Sequence, residues 1–445
     1  MQLNLFTMNA VTHVSPGLWR RPGDRAADYT DRDYWTDVAR TAERGGFDAV
    51  FFADVRGIYD VFDGAREPAI RRAVQTPSND PRFLIPAMAE ATDDLGFAVT
   101  RSTTYNQPYE LAREFSTLDH LTDGRVAFNI VTSYLDSAAR NLGVGQRLDH
   151  DDRYDRADEF MDVCYALWEE SWDDDAVVRD PDTDTYTNPE GVHTIDHDGE
   201  WFTVEGPHGC EPSPQRTPFL YQAGASDRGR EFAAGNAEAV FCSYPTRAGV
   251  RDYVEDMRER AESHGRDPDA VGFYPGMVTI VGETEELAEA KYDHYRDIID
   301  VEAVLALLSG FMDMDLSALD PDQRVEHIET EAMQGAVNAF TKADPDRDWT
   351  VAEMARFAGL GSTSPVVVGT PEQVADELGA WYRELPIAGF NVKEVARPDS
   401  IEDFVSFVVP ELRERGLLDA SEGDTLRERV TDGGPRLPND HPARR

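Results

Sequence analysis

The sequence predicts an α/β fold, a (β/α)8 TIM barrel with insertions, on three observations. Short apolar, β-rich runs alternate with helical patterns along the chain, an order that makes successive strands parallel. Eight such units can be counted, which fits a closed barrel better than an open doubly wound sheet, the alternative that the same alternation allows. The 445 residues, 40% of them hydrophobic, suffice for a barrel with long excursions from it.

Leu3 to Met8 reads as the first strand, and Asp33 to Arg44 as a helix with Tyr34, Val38 and Ala42 on one face. Phe47 to Phe52 is the second strand, followed by a helix over Pro81 to Thr92 with proline at its start. Gly96 to Thr100 is the third, and Tyr109 to Leu121 a helix stopped by Asp123-Gly124. Arg125 to Val131 is the fourth, before a long helix over Arg153 to Trp172. The fifth to eighth strands are Phe219 to Gln222, Ala237 to Cys242, Val271 to Val281 and Gly389 to Val395. Helices over Arg228 to Gly235, Arg247 to His264, Glu285 to Ile298 and Pro371 to Glu384 separate them.

Two stretches break the pattern. Residues 173–217 are polar and turn-rich, with a hairpin expected around Glu200 to Glu205; residues 300–365 hold helices and a glycine-rich end. Loops of this length inside a domain act as functional covers or oligomer contacts. The chain, 1–445, therefore reads as one barrel domain with insertions at about 173–217 and 300–365 and a tail from about 418 to 445.

Acidic residues number 86 and basic residues 43, for a net charge of −43. Such a surface repels phosphate, so nucleic acid is a poor partner. Lysine occurs only at positions 291, 342 and 393. The acidic residues spread along the whole chain among many aromatics, as in a folded protein with an acidic shell rather than a disordered tail. Molar salt, with its Debye length of about 3 Å, screens the self-repulsion of that shell. The composition resembles that of proteins from salt-in halophilic archaea. No apolar run is long enough to span a membrane, and the N-terminus lacks a signal-peptide pattern. Three scattered cysteines without CxxC spacing argue against disulfides and structural zinc and place the chain in a reducing cytoplasm.

In a barrel the site lies where strands end and the following loops begin. Those positions carry Asp54, Ser102 to Asn106, Asn129, Thr132 to Tyr134 and Ala223 to Ser226. They are rich in hydroxyls and amides and poor in paired acids and bases, which suits a flat polar ligand with a phosphate better than hydrolysis. In QAGASDRGR, Gly224 permits a tight turn and Ser226 stands at the start of a helix, where free N–H groups and the helix dipole favour an anion; Ser226 could equally be an ordinary cap. His13 follows the first strand beside Trp19 and Arg20, and His150 precedes Arg153-Tyr154 near a helix start. His193 and His197 imitate metal spacing but sit in a polar insertion, so no metal site is expected. The GVGQ at 143–146 and GLG at 359–361 read as turns, not dinucleotide fingerprints. Arg20, Arg21, Arg56 and Arg101 near strand ends would suit an anionic substrate, although arginine is simply the abundant base here.

Several long stretches resemble the bacterial luciferase-like flavin-dependent monooxygenases. The group is the one typified by nitrilotriacetate monooxygenase component A, dibenzothiophene sulfone monooxygenase and long-chain alkane monooxygenase. The stretches include LWRRPGDRAADYTDRDYW, FDAVFFADVRGIYDVF, DHDDRYDRADEF, GPHGCEPSPQRTPFLYQAGASDRGR and PVVVGTPEQVADEL, and they cover nearly the whole chain in family order. The resemblance implies an oxygenase component that uses O2 and reduced FMN, delivered by a separate NAD(P)H:flavin reductase, to oxygenate a small organic substrate through a peroxyflavin. It implies that Asp54 and Thr104 lie beside the flavin and that Asn129, Val131, Thr132 and Ser133 line its ring and ribityl chain. His150, Tyr154 and Ser226 would hold the ribityl and phosphate end, and His13 would be a catalytic proton donor or stabiliser. Arg21 stands where the family usually has histidine. Relatives also imply a homodimer or higher homo-oligomer. A barrel of this kind could instead use a reduced deazaflavin for hydride transfer, or bind flavin without catalysis.

Overall fold

The computed structural model describes residues 1–324, 349–361, 363–419 and 421–444. Its strands are all short except one. β1 (Gln2–Met8), β2 (Ala49–Ala53), β3 (Gly96–Ser102), β4 (Val126–Val131), β5 (Phe219–Gln222), β6 (Ala239–Cys242) and β7 (Gly272–Val281) pair in chain order, each parallel to the next. β8 (Val366–Gly369) lies outside the ring, on the last four residues of β7. β9 (Gly389–Lys393) closes the ring between β7 and β1, with Leu3 opposite Phe390. The closed eight-strand barrel stands, and the β9–β1 and β6–β7 pairings exclude the open doubly wound sheet.

Side chains alternate in and out along each strand. Inside the barrel, Phe6, Phe51, Tyr221 and Tyr274 interlock with Ala49, Ala98, Ala127 and Ala239, large against small. The outward residues, such as Val50, Phe97, Val99 and Phe128, pack under a shell of helices. These are α1 (Arg32–Arg44), α2 (Pro108–Leu121), α3 (His150–Tyr165), α4 (Asp227–Asn236), α5 (Arg247–Ser263) and α6 (Glu285–Ile298), then α7 (Val301–Met312), α8 (Val351–Ala358) and α9 (Pro371–Glu384). Several starts are marked by a side-chain cap: the Asp31 side chain accepts from Asp33 N at α1, and Thr246, Thr284 and Thr370 cap α5, α6 and α9.

Some elements differ from expectation. The helix expected over 81–92 is a turn at Pro81–Phe83 followed by a short helix Ile85–Glu90, because Pro86 lacks the N–H needed to continue. The long helix begins at His150 and passes into a π-helical turn at Ala166–Glu170. The sequence reading had no strand at β8; β7 is long enough to serve both the ring and this outer pair. The expected hairpin is formed by His197–Asp198 and Thr203–Val204, and a second two-stranded pair joins Val177–Asp180 to Thr185–Thr187. The C-terminal tail folds against the N-terminal ends of the strands. Leu426 packs on Gly96, and the buried Arg427 pairs with Glu238 at 2.7 Å and donates to the carbonyls of Thr217 and Pro218. Among the described residues no helix is long and apolar enough to cross a membrane.

Candidate active site

At the C-terminal ends of the strands lies a cavity of about 430 Å3, within the range of about 300–1,000 Å3 usual for ligand sites. Phe6, Phe51, Val131, Leu135 and Phe241 give it an apolar middle; Asp54, Asn129, Thr132, Ser133, His150 and Tyr154 give it a polar edge. His13 lines it as well. Of the residues that the family resemblance assigns to the flavin site, Thr104 and Ser226 do not line the cavity, and neither do Ser102, Thr103, Tyr105, Asn106, Gly224 and Ala225 from the neighbouring loop positions. Thr104 stands behind it, its hydroxyl donating to the carbonyl of Thr132 at 2.6 Å.

The wall from β3 and β4 is built by a relay of side chains. The Thr100 hydroxyl donates to the Phe52 carbonyl at 2.7 Å, and Asn129 Nδ2 donates to Thr100 Oγ1 at 2.7 Å. This fixes the Asn129 amide, whose buried Oδ1 has no partner among the described residues. Ser133, just past β4, takes a left-handed φ of 58° and donates to Ser102 Oγ at 2.9 Å. A serine held in that region costs free energy, and such residues concentrate at functional sites. Burial, then the Asp80 carboxylate, push the Asp54 carboxyl up to about 6, against the opposing pull of Arg56 and Arg82.

The far corner is set by α3 and α4. Ser226 caps α4, accepting from Gly229 N at 3.1 Å, and its hydroxyl also lies 3.1 Å from His150 Nε2. The Tyr154 hydroxyl lies beside Thr132 and Ser226. The backbone at Gly229 comes close to this corner: a Cβ there would sit 2.7 Å from the Tyr154 hydroxyl and 3.0 Å from Ser226 Oγ and would force them to shift. Arg153 lines this end of the cavity and donates to the Leu148 carbonyl at 2.7 Å; among the described residues it has no carboxylate partner. The corner thus gathers a helix N-terminus, two hydroxyls, an imidazole and a guanidinium without a carboxylate partner among the described residues, a set that suits a phosphate.

Other wall residues escaped the sequence reading. Gln75 donates to the His13 carbonyl at 2.9 Å and accepts from the Tyr59 hydroxyl at 3.0 Å; Tyr59 also bonds to Tyr134. Phe311 of α7 sits with its ring 5.7 Å from that of Tyr134 and lines the cavity, so the end of α7 forms part of the wall at the mouth. The helical pattern of 301–312 was the one available signal. Arg20, Arg21 and Arg101 are corrected: they lie off the cavity, Arg21 pairs with Asp399 at 2.9 Å, Arg101 with Glu114 at 3.0 Å, and Arg20 is held near Asp300. Only Arg56 of that group reaches the mouth. His193 and His197 each face a separate carboxylate, Asp173 and Glu159, and among the described residues no group of three or more potential ligands is arranged for a metal.

A closed parallel barrel with a ligand-sized cavity at the C-terminal ends of its strands defines a barrel enzyme. Residues 6–389 match the luciferase-like monooxygenase family, and the chain belongs to that family. It is therefore a monooxygenase. It is 45% identical over 443 residues to dimethyl-sulfide monooxygenase of Hyphomicrobium sulfonivorans, covering 99% of this chain and 92% of that protein. It is 46% identical over 448 residues to long-chain alkane monooxygenase of Geobacillus thermodenitrificans, covering 100% and 97%. The crystal structure of DmoA from Hyphomicrobium sulfonivorans is similar with a TM-score of 0.95 at 45% identity, covering 100% of this chain and 95% of that one.

Proposed function

We propose that the barrel mouth binds reduced FMN beside a small, uncharged organic substrate. The chain is the oxygenase component of a two-component FMN-dependent monooxygenase. The observation that carries the binding reading is the division of one cavity into an apolar middle, an unpartnered Asn129 Oδ1 and an anion-ready corner.

The residues fit the group. Ser226, Tyr154, His150 and Arg153 would hold the phosphate end; Asn129, Val131, Thr132, Ser133 and Asp54 would border the ring and ribityl chain, with Thr104 holding Thr132 in place. Reduced FMN supplies the electrons that activate O2 for transfer of one oxygen atom to the substrate. The apolar walls exclude water from that chemistry. His13 is neutral near pH 7, because burial, with Lys393 and Arg397 nearby, holds its imidazole well below the usual range. It is available there to accept and return a proton. The substrate is uncharged because Arg153 serves the phosphate corner and Arg56 alone of the suspected cations faces the mouth, while Phe6, Phe241, Leu135 and Phe311 dominate the walls.

The same reading takes an NAD(P)H:flavin reductase as functional partner, a homodimer or higher homo-oligomer as assembly, a cytoplasmic location and a salt-adapted organism, the last supported by the charge of −43. The experiment supplies a flavin reductase, NADH, FMN and isotopically heavy O2 together with dimethyl sulfide, alkanes, sulfones and aminopolycarboxylates. Heavy oxygen should enter the product of an uncharged substrate and do so only with FMN present. Label recovered solely from an aminopolycarboxylate, or oxidation that proceeds without O2, would overturn the reading.

A further inference from the structure

His13 faces two cavities. One is the mouth; the other is a separate cavity of about 10 Å3, lined also by Ser15, Asp24, Glu394 and Arg397. That volume is about what one water molecule needs. Three buried polar atoms belong to residues on its lining and have no partner among the described residues: His13 Nδ1, Ser15 Oγ and Glu394 Oε1. A buried water typically makes about three hydrogen bonds, and buried polar groups are rarely left unpaired. The other Glu394 oxygen is fully used: Oε2 accepts from Thr7 Oγ1 at 2.7 Å and from Arg397 Nε at 2.9 Å. Arg397 is itself spent on Glu394, Thr7 and the carbonyls of Met8 and Ala10. Asp24 accepts from the backbone N–H groups of Ala26 and Arg397. The remaining nearby cation, Lys393, donates to the Gly361 carbonyl at 2.9 Å. Oε1 is therefore the acceptor left over for the small cavity.

We propose that one water molecule bridges His13 Nδ1, Ser15 Oγ and Glu394 Oε1, fixing the histidine tautomer and making Glu394 a positioning residue for His13. A carboxylate only accepts, so the water donates one hydrogen to Oε1; with its second hydrogen given to Ser15 Oγ, it has only a lone pair left for His13, and Nδ1–H donates to it. The proton of the neutral ring is then on Nδ1, and the Nε2 lone pair faces the mouth. When Nε2 takes a proton from a reacting group there, the new N–H bond forms on Nε2 and the donor keeps its electron pair. The positive ring is balanced across the water by Glu394, and the same proton is returned from Nε2 later in turnover. The catalytic part of this inference rests on the flavin reading above; the tautomer does not.

The test is nitrogen NMR of the intact protein with labelled histidine, comparing wild type with Ser15→Val and Glu394→Gln. Ser15→Val fills the water site and leaves the Glu394–Arg397 pair in place, so it covers the case in which Glu394→Gln, which strands a buried guanidinium, fails to fold. Wild type should show the Nδ1–H tautomer, and Ser15→Val should shift it toward Nε2–H. Ser15→Val should also lower reduced-FMN-dependent O2 consumption about tenfold or more and change its pH profile, with reduced-FMN affinity kept. An Nε2–H tautomer in wild type, or a tautomer unmoved in a folded variant, overturns the relay. If the tautomer shifts as expected but reduced FMN does not bind the wild type, the relay stands and the flavin reading falls.

Discussion

Replacing Ser226 with alanine separates a phosphate contact from a helix cap. The hydroxyl now accepts from Gly229 N at 3.1 Å and meets His150 Nε2 at 3.1 Å, with Tyr154 beside it. As a cap alone it contributes about 1 kcal/mol to stability. In a chain of this length that lowers the melting temperature by roughly 2 °C or less. As a donor to a phosphate dianion it contributes about 1.5–3 kcal/mol to binding, so Ser226→Ala should weaken reduced FMN roughly ten- to a hundredfold. Tyr154→Phe removes the adjoining hydroxyl and should act in the same direction. The assay is anaerobic titration with reduced FMN and with reduced riboflavin, which lacks the phosphate, alongside thermal melts in one high-salt buffer. FMN affinity should fall and riboflavin affinity should hold. If both variants keep wild-type FMN affinity and only melt earlier, or if riboflavin weakens equally, Ser226 is a cap and the phosphate lies elsewhere.

Other outcomes follow from the same structure. The Asp54 carboxyl, raised to about 6 by burial and by Asp80, is ionised at higher pH at a cost to the folded state. Its stabilising contribution is present below about pH 4 and is lost as pH rises through about 6. Asp54→Asn should therefore stabilise the protein by about 1–3 kcal/mol at pH 8, and the gain should vanish as pH falls toward 4. Denaturant melts across that range would show a pH-independent difference if the reasoning fails. With a charge of −43, the melting temperature should climb from low salt to molar KCl as screening removes repulsion; a flat or falling curve contradicts this. Light scattering in high salt should report a dimer or larger species, and a monomer would refute the oligomer proposal.

The barrel was legible because its inner and outer strand residues form short, dense apolar runs between turn residues. β8 was not, because Val366 to Val368 are half-buried outside the ring and their meaning depends on the extra length of β7. The role of Arg427 was hidden for the same kind of reason: its partner Glu238 lies far away in sequence. At the mouth, Asp54, Asn129, His150 and Tyr154 could be found because each sits at a strand end or helix start. Tyr59, Gln75 and Phe311 could not, since a loop and an insertion helix bring them in only through tertiary packing. Arg20, Arg21 and Arg101 misled because closeness to a strand end does not reveal the acidic groups that hold them. Glu394 gave no sign in the sequence; its pairing with Arg397 and its place on the small cavity beside His13 emerge only in the fold.

The central claim is that the barrel mouth is a reduced-FMN site. Anaerobic titration of the desalted protein in molar KCl with reduced FMN, oxidised FMN and a reduced deazaflavin tests it most directly. The account predicts saturable binding of reduced FMN, one per chain, tighter than that of oxidised FMN and of the deazaflavin. Absence of binding, or preference for the deazaflavin, would contradict it.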